Sequence, residues 1–84
     1  MMELLDFYAD WCGPCQMMKP TVEAFEKMHP EITVRRVNID NEEELAERYD
    51  VAGIPCLVLL KDKKEVAREV GVVSLKKLVK MLEK

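Results

Sequence analysis

Asp6-Phe7-Tyr8-Ala9-Asp10-Trp11-Cys12-Gly13-Pro14-Cys15 is the stretch on which the fold turns. Its first half closes a short apolar run, Leu4 to Ala9, broken only by Asp6 and ending at Asp10-Trp11. A run of this length with aromatic residues reads as a buried strand. Its second half opens a helix. From Gly13 to His29, Met18, Val22 and Phe25 fall on one face with Met17, Ala24 and Met28 alongside, while Lys19, Glu23, Glu26 and Lys27 take the outer side. Pro14 suits a first helical turn, where a missing N–H costs nothing; Pro20 falls inside the pattern and predicts a kink, and Pro30 ends the helix.

Further along, Ile32 to Ile39 alternates in part and reads as a second strand. Asn41-Glu42-Glu43-Glu44 matches a capping box for a short helix carrying Leu45, Ala46 and Tyr49, which stops before Gly53. Cys56 to Leu60 is a continuous apolar strand, Lys61 to Lys64 a polar hairpin turn, and Glu65 to Val70 an alternating return strand. Gly71 marks a bulge or bend, and Ser74 caps a last helix with Leu75, Leu78, Val79 and Leu82 inward. The order β-α-β-α-β-β-α predicts an α/β fold. Its βαβ half has parallel strands and a right-handed crossover, its hairpin half antiparallel strands, giving a four-stranded mixed sheet with helices on both faces.

With 84 residues the chain has room for one domain, 1–84, and one compact site. The hydrophobic fraction of 49% excludes intrinsic disorder, and the net charge of −3 argues against nucleic acid as a partner. Lys76, Lys77, Lys80 and Lys84 read as the solvated face of the last helix. No basic leader segment opens the sequence, and no run approaches the roughly 18 apolar residues of a membrane span. The expectation is a cytoplasmic protein with no membrane association. The six methionines are expected as core filler, Met17 and Met18 beside the kink.

Three cysteines are too few for a disulfide framework. Cys12 and Cys15, three apart at a helix start, have Cα atoms about 5–6 Å apart, a separation suited to a disulfide. At the N-cap, Cys12 meets unpaired N–H groups and the positive end of the helix dipole, which should draw its thiol pKa from about 8.5 towards 7 or below. Cys15, one turn inside, is expected to be less exposed. Cys12 is then the attacking sulfur and Cys15 the resolving one, with Gly13 and Pro14 leaving the attacking sulfur uncovered. A zinc site would need two further ligands; only Cys56 and His29 remain, and His29 lies more than about 20 Å away along the helix. No metal is expected within one chain, although two chains could together hold a metal or an iron–sulfur cluster.

The quoted stretch, followed by Pro20, Asp40, Gly53-Ile54-Pro55 and Gly71, resembles the thioredoxin family over nearly the whole chain. The resemblance implies a thioredoxin-like fold and the reduction of protein disulfides. It implies a cis Ile54–Pro55 bond beside the cysteines, and a docking surface in which the Ile54 backbone pairs with a substrate strand while Trp11, Gly53 and Gly71 border it. It favours Asp6 as a buried acid that takes the proton of Cys15 during resolution, against a side chain on a half-exposed strand. No cofactor is implied, because the cysteines carry the electrons. The partners implied are a thioredoxin reductase-type enzyme and disulfide-containing target proteins, met by a monomer. A glutaredoxin-like protein recharged by a small thiol is the alternative, as is the metal- or cluster-binding dimer.

Three departures stand out. The additional strand and helix with which thioredoxins ordinarily begin have no counterpart here, which leaves one sheet edge uncovered. Arg36 stands where a buried lysine is usual and could pair with Asp6, lowering its pKa. Cys56 replaces a threonine after Pro55; it reads first as a small buried hydrophobe, and second as a thiol able to form an alternative disulfide. Trp11 is divided between stiffening the loop and touching substrate.

Overall fold

A computed structural model describes residues 1–83; Lys84 lies outside the described residues. The first strand begins before its apolar run: β1 spans Met2–Tyr8, with Leu4, Leu5, Asp6 and Phe7 all buried. It sits inside a sheet of order β2-β1-β3-β4, parallel to β2 (Thr33–Asn38) and antiparallel to β3 (Cys56–Lys61), which pairs in turn with β4 (Lys64–Val70). Because β1 and β3 are central and covered on both faces, they are apolar without alternation, as buried strands must be. Each side chain so buried contributes about 1.5–3 kcal/mol.

Helix α1 (Gly13–Met28) buries Cys15, Met18, Val22 and Phe25, spaced three or four apart on one stripe. It packs with α3 (Leu75–Lys80) on one face of the sheet, where Leu4, Leu57, Leu59, Leu78 and Met81 complete the core. The helix continues through Pro20, whose ring removes the N–H that would have bonded the Gln16 carbonyl. The methionines divide: Met18 and Met81 are buried, but Met17 and Met28 are exposed, because they lie off that stripe. Ser74 caps α3 by accepting the Lys77 N–H, and a 3₁₀ turn (Met81–Glu83) finishes the described chain.

On the other face a second core of Leu5, Phe7, Val37, Val58 and Leu60 meets α2 (Glu43–Arg48) through half-buried Leu45, Ala46 and Tyr49. The expected Asn41 capping box does not form. Asn38 holds the loop instead: its carbonyl accepts the N–H groups of Asn41 and Glu42 and its side chain that of Asp40, so the helix starts after Glu42 with no side-chain cap. At its end the Asp50 N–H bonds the Glu47 carbonyl and the Val51 N–H bonds the Ala46 carbonyl, with Asp50 at φ 51°. Arg68 of β4 ties this helix end to the sheet by donating to the Tyr49 and Asp50 carbonyls while paired with Glu65.

The β3–β4 hairpin turns through Asp62 and Lys63, at φ 51° and 69°, the left-handed pair of a type I′ turn that matches the twist of the strands. A register shift at Leu59/Leu60 places a bulge in the same hairpin. Lysine is a poor occupant of a left-handed position. Replacing it, Lys63→Gly should stabilise the fold by about 0.5 kcal/mol, seen as a higher denaturant midpoint at unchanged slope; a lower midpoint would show that the turn is not under conformational strain.

Candidate active site

The end of β1 feeds directly into α1, and the junction sets the two cysteines. Cys12 is the N-cap, extended at φ −91° and ψ 107°, and its N–H bonds the Ala9 carbonyl at 3.2 Å. Its sulfur accepts the Cys15 backbone N–H at 3.1 Å, one of the orphan donors of the first turn. Cys12 and Cys15 are joined as a disulfide with Cα atoms 5.2 Å apart. Pro14 lies in the first turn, and a Cβ on Gly13 would meet nothing within 4 Å, so packing does not demand glycine there.

The expected difference in exposure between the cysteines is absent: Cys12 is 5% exposed and Cys15 7%. Both belong to one buried cluster with Ala9, against which Tyr8, Ile39 and Ile54 pack. What separates the two sulfurs is their company. Cys12 Sγ lies 4.0 Å from the Ile54 carbonyl oxygen, at the front of the site. Cys15 lines a cleft of about 180 Å³ at the back, shared with Asp6, Tyr8, Lys19 and Arg36.

The front is assembled from three loops. The Ile54–Pro55 peptide is cis, and the Pro55 carbonyl accepts the Gly71 N–H at 2.8 Å. Gly71 sits at φ 92°, where a side chain would be strained. A Cβ on Gly53 would touch Val70 at 3.4 Å. Gly53, Ile54 and Gly71 are thus half-buried at one surface and Pro55 is fully buried, with Val70 and Val72 exposed next to them. Trp11 is 70% exposed, yet its indole N–H is donated to Asp40 Oδ2 at 2.9 Å.

At the back, Asp6 is 3% exposed in the middle of β1, opposite Arg36 of β2 in the strand register. Arg36 Nη1 approaches Asp6 Oδ2 to 3.7 Å, so the two do pair. The pairing does not set the balance. Burial pushes the Asp6 carboxyl above its ordinary 3.8, and Arg36 opposes that shift without reversing it. Cys56 is free and fully buried among Leu5, Phe7, Val37, Val58 and Leu60, on the α2 face of the sheet. Burial raises its thiol pKa, partly offset by Arg68. Two contacts escape sequence reasoning, Asp40 on Trp11 and Arg68 on α2. Each joins residues far apart in the chain, and no local pattern signals such a pair. Among the described residues no three His, Cys, Asp or Glu side chains converge as a metal site, and no helix is long and apolar enough to cross a membrane.

The family model for thioredoxin matches residues 2–84. Thioredoxin from Chlamydia trachomatis is 46% identical over 81 residues, covering 96% of this chain and 79% of its own. The chain belongs to the thioredoxin family. A further relative, thioredoxin-1 from Saccharomyces cerevisiae, is 40% identical over 68 residues, 81% of this chain and 66% of that one. Among solved structures, a point mutant of thioredoxin from Halobacterium salinarum superposes with a TM-score of 0.90 at 40% identity, over 98% of this chain and 72% of its own. Thioredoxin from Fasciola hepatica gives 0.89 at 39%, over 98% and 79%. As in other thioredoxins, the pair Cys12–Cys15 makes the chain a thiol–disulfide oxidoreductase, with a reductase and disulfide-bearing proteins as its partners.

The raised pKa of Asp6 has a stability consequence of fixed sign. Below 3.8 Asp6 is protonated both folded and unfolded, and burial of the charge costs nothing; as pH rises through the higher folded pKa, the cost appears in full. Asp6→Asn should therefore be more stable than wild type by about 1–3 kcal/mol at neutral pH, with the difference vanishing towards pH 3. Denaturation midpoints measured across that range test it, and a pH-independent difference would show that Asp6 carries no buried charge.

Proposed function

We propose that this thioredoxin reduces protein disulfides with Cys12 as nucleophile, Cys15 as resolving thiol and Asp6 as the base that serves Cys15. The observation that carries the assignment is the Cys15 N–H directed at Cys12 Sγ at the N-terminus of α1: a donor and a dipole that stabilise a thiolate on Cys12 alone. The Cys12 thiolate attacks one sulfur of the target, forming a mixed disulfide and releasing the other sulfur as a thiolate. Cys15 then gives its proton to the Asp6 carboxylate across the cleft they share, and its thiolate attacks Cys12 Sγ. The target leaves with both thiols reduced, and the chain keeps the disulfide, oxidised by two electrons. A reductase of the flavoprotein type, drawing on a nicotinamide or a similar donor, returns it to the dithiol.

The target docks on the front. Trp11, Gly13 and Pro14 supply one side, and Gly53, Ile54 and Gly71 the other, supported by the buried Pro55, where the Ile54 backbone can pair with an extended target segment. Exposed Val70 and Val72 extend this apolar rim. The chain works as a single-domain monomer, since its own helices cover both faces of its sheet. The free thiol of Cys56 fits a reducing compartment such as the cytoplasm, with packing as its role.

An insulin-reduction assay with alternative recharging systems decides between this reading and a glutaredoxin-like one: turnover is expected with a flavoprotein reductase, and turnover with glutathione alone would overturn it. Cys15→Ser should trap a mixed disulfide on Cys12, whereas Cys12→Ser should trap none. Asp6→Asn should slow turnover about tenfold or more, in keeping with general-base contributions of about 10²–10⁴ when complete; unchanged turnover would remove Asp6 from the mechanism.

A further inference from the structure

The bulge in the β3–β4 hairpin brings together two side chains that a regular strand would hold apart. Residues three apart on a strand face opposite sides of the sheet. In β4, however, Glu65 pairs with Leu60, Ala67 with Leu59 and Arg68 with Val58, so Val66 is the extra residue. Leu60 and Val58 both belong to the core on the α2 side, and the bulge returns Glu65 to that side with Arg68. There the carboxylate holds the guanidinium by two bonds, Nε to Oε2 and Nη2 to Oε1, each 2.8 Å long. The remaining donors meet the end of α2: Nη2 donates to the Tyr49 carbonyl and Nη1 to the Asp50 carbonyl. A helix leaves its last carbonyls unpaired, at the negative end of its dipole, and a fixed cation satisfies both conditions.

The loop that leaves this helix end carries Gly53, Ile54 and Pro55 before β3 begins at Cys56. Residues of β4 and its end hold the loop twice. Arg68 takes its start at Tyr49 and Asp50, and the Gly71 N–H takes the Pro55 carbonyl at 2.8 Å. Between the two anchors stands Ile54, its carbonyl oxygen 4.0 Å from Cys12 Sγ. A loop already fixed loses less freedom when a partner pairs with it.

We infer that Arg68, clamped by Glu65, is a positioning residue for target docking: it fixes the start of the loop so that the Ile54 backbone stands beside Cys12, ready for an extended target segment. The inference rests on the docking role of Ile54 given above, and it assigns no contact between Arg68 and the target. Loss of the clamp should weaken capture of a protein disulfide more than it slows the bond-breaking step on Cys12.

The test uses the full chain, with insulin as the protein disulfide and dithiobis(nitrobenzoate) as a small one that has no segment to pair. Arg68→Met keeps an unbranched side chain and removes every donor. It should raise KM for insulin about three- to tenfold with kcat within about twofold, equivalent to about 0.7–1.4 kcal/mol of lost capture. The ratio of kcat/KM for insulin to that for dithiobis(nitrobenzoate) should fall by the same factor. Arg68→Lys keeps the charge but not the fork, and should follow Arg68→Met. Glu65→Gln loosens the clamp from the other side and should raise KM about twofold; it carries the test even where Arg68→Met fails to fold. The direction in Glu65→Gln is decisive. A direct charge effect on insulin would move KM one way when the cation is removed and the other way when the anion is removed, whereas a lost clamp raises it in both. Opposite shifts overturn the inference, as do an unchanged KM in Arg68→Met, a wild-type KM in Arg68→Lys, or an equal loss on the two substrates. Trp11→Ala, on the other side of the docking surface, separates the two readings. A raised KM there beside an unchanged one in the Arg68 variants removes the clamp alone, and wild-type KM in all of them removes the docking surface itself.

Discussion

The burial of β1 on both faces is the constraint from which the rest of the site follows. A central strand must fill two cores, so Leu4 goes to the α1 side and Leu5 and Phe7 to the α2 side. The residue between them, Asp6, is forced into the interior, where it lines the cleft it shares with Cys15. The same strand, running out at Tyr8, fixes where α1 begins and hence where the first-turn N–H groups point. One element therefore supplies the buried acid, the helix N-terminus and the packing that closes over both sulfurs.

Asp6 and Arg36 show which of two opposing effects wins in such a place. A pair at 3.7 Å with one partner a third exposed is weakly coupled, because solvent reaches Arg36 and screens the attraction. Desolvation of the carboxylate meets no such screening. Arginine at this position tempers the acid without abolishing its raised pKa, and a carboxyl pushed upward is closer to the range in which it can accept a thiol proton. The fold accepts a less stable strand and keeps a carboxyl buried in the cleft that the inner cysteine lines.

Much of this is legible from the chain because its signals are local. The i, i+3, i+4 spacing of Met18, Val22 and Phe25, the polar turn around Asp62-Lys63, and the Cys12–Cys15 separation each depend on neighbours within a few positions. The failures share a cause. Composition groups Met17 and Met28 with the core, although the stripe that meets the sheet is narrower than their position on α1 allows. The Asn41 box loses to Asn38, whose carbonyl and side chain secure the same loop one step earlier. Whether Arg36 lowers the pKa of Asp6 or merely tempers its rise depends on the depth of burial on one side and the exposure on the other, and neither is written in the chain. Asp40 and Arg68 act across 29 and 18 positions, and sequence periodicity carries no information at that range.

The cysteines illustrate how a functional asymmetry can exist where burial shows none. Equal exposure would mean equal reactivity if access were the controlling term. Here the oxidised pair is buried as one unit with Ala9 against Ile54 and Tyr8, and the difference lies in what surrounds each sulfur. Cys12 has an amide donor and a helix start, which favour charge; Cys15 lines the cleft that also holds the buried Asp6 carboxyl. In the cycle proposed above, a front that would capture a disulfide and a back that would move a proton are thus kept apart at two adjoining sulfurs. Neither chemistry needs the other's environment, and a short chain holds both because β1 and the first turn of α1 are shared walls of the two.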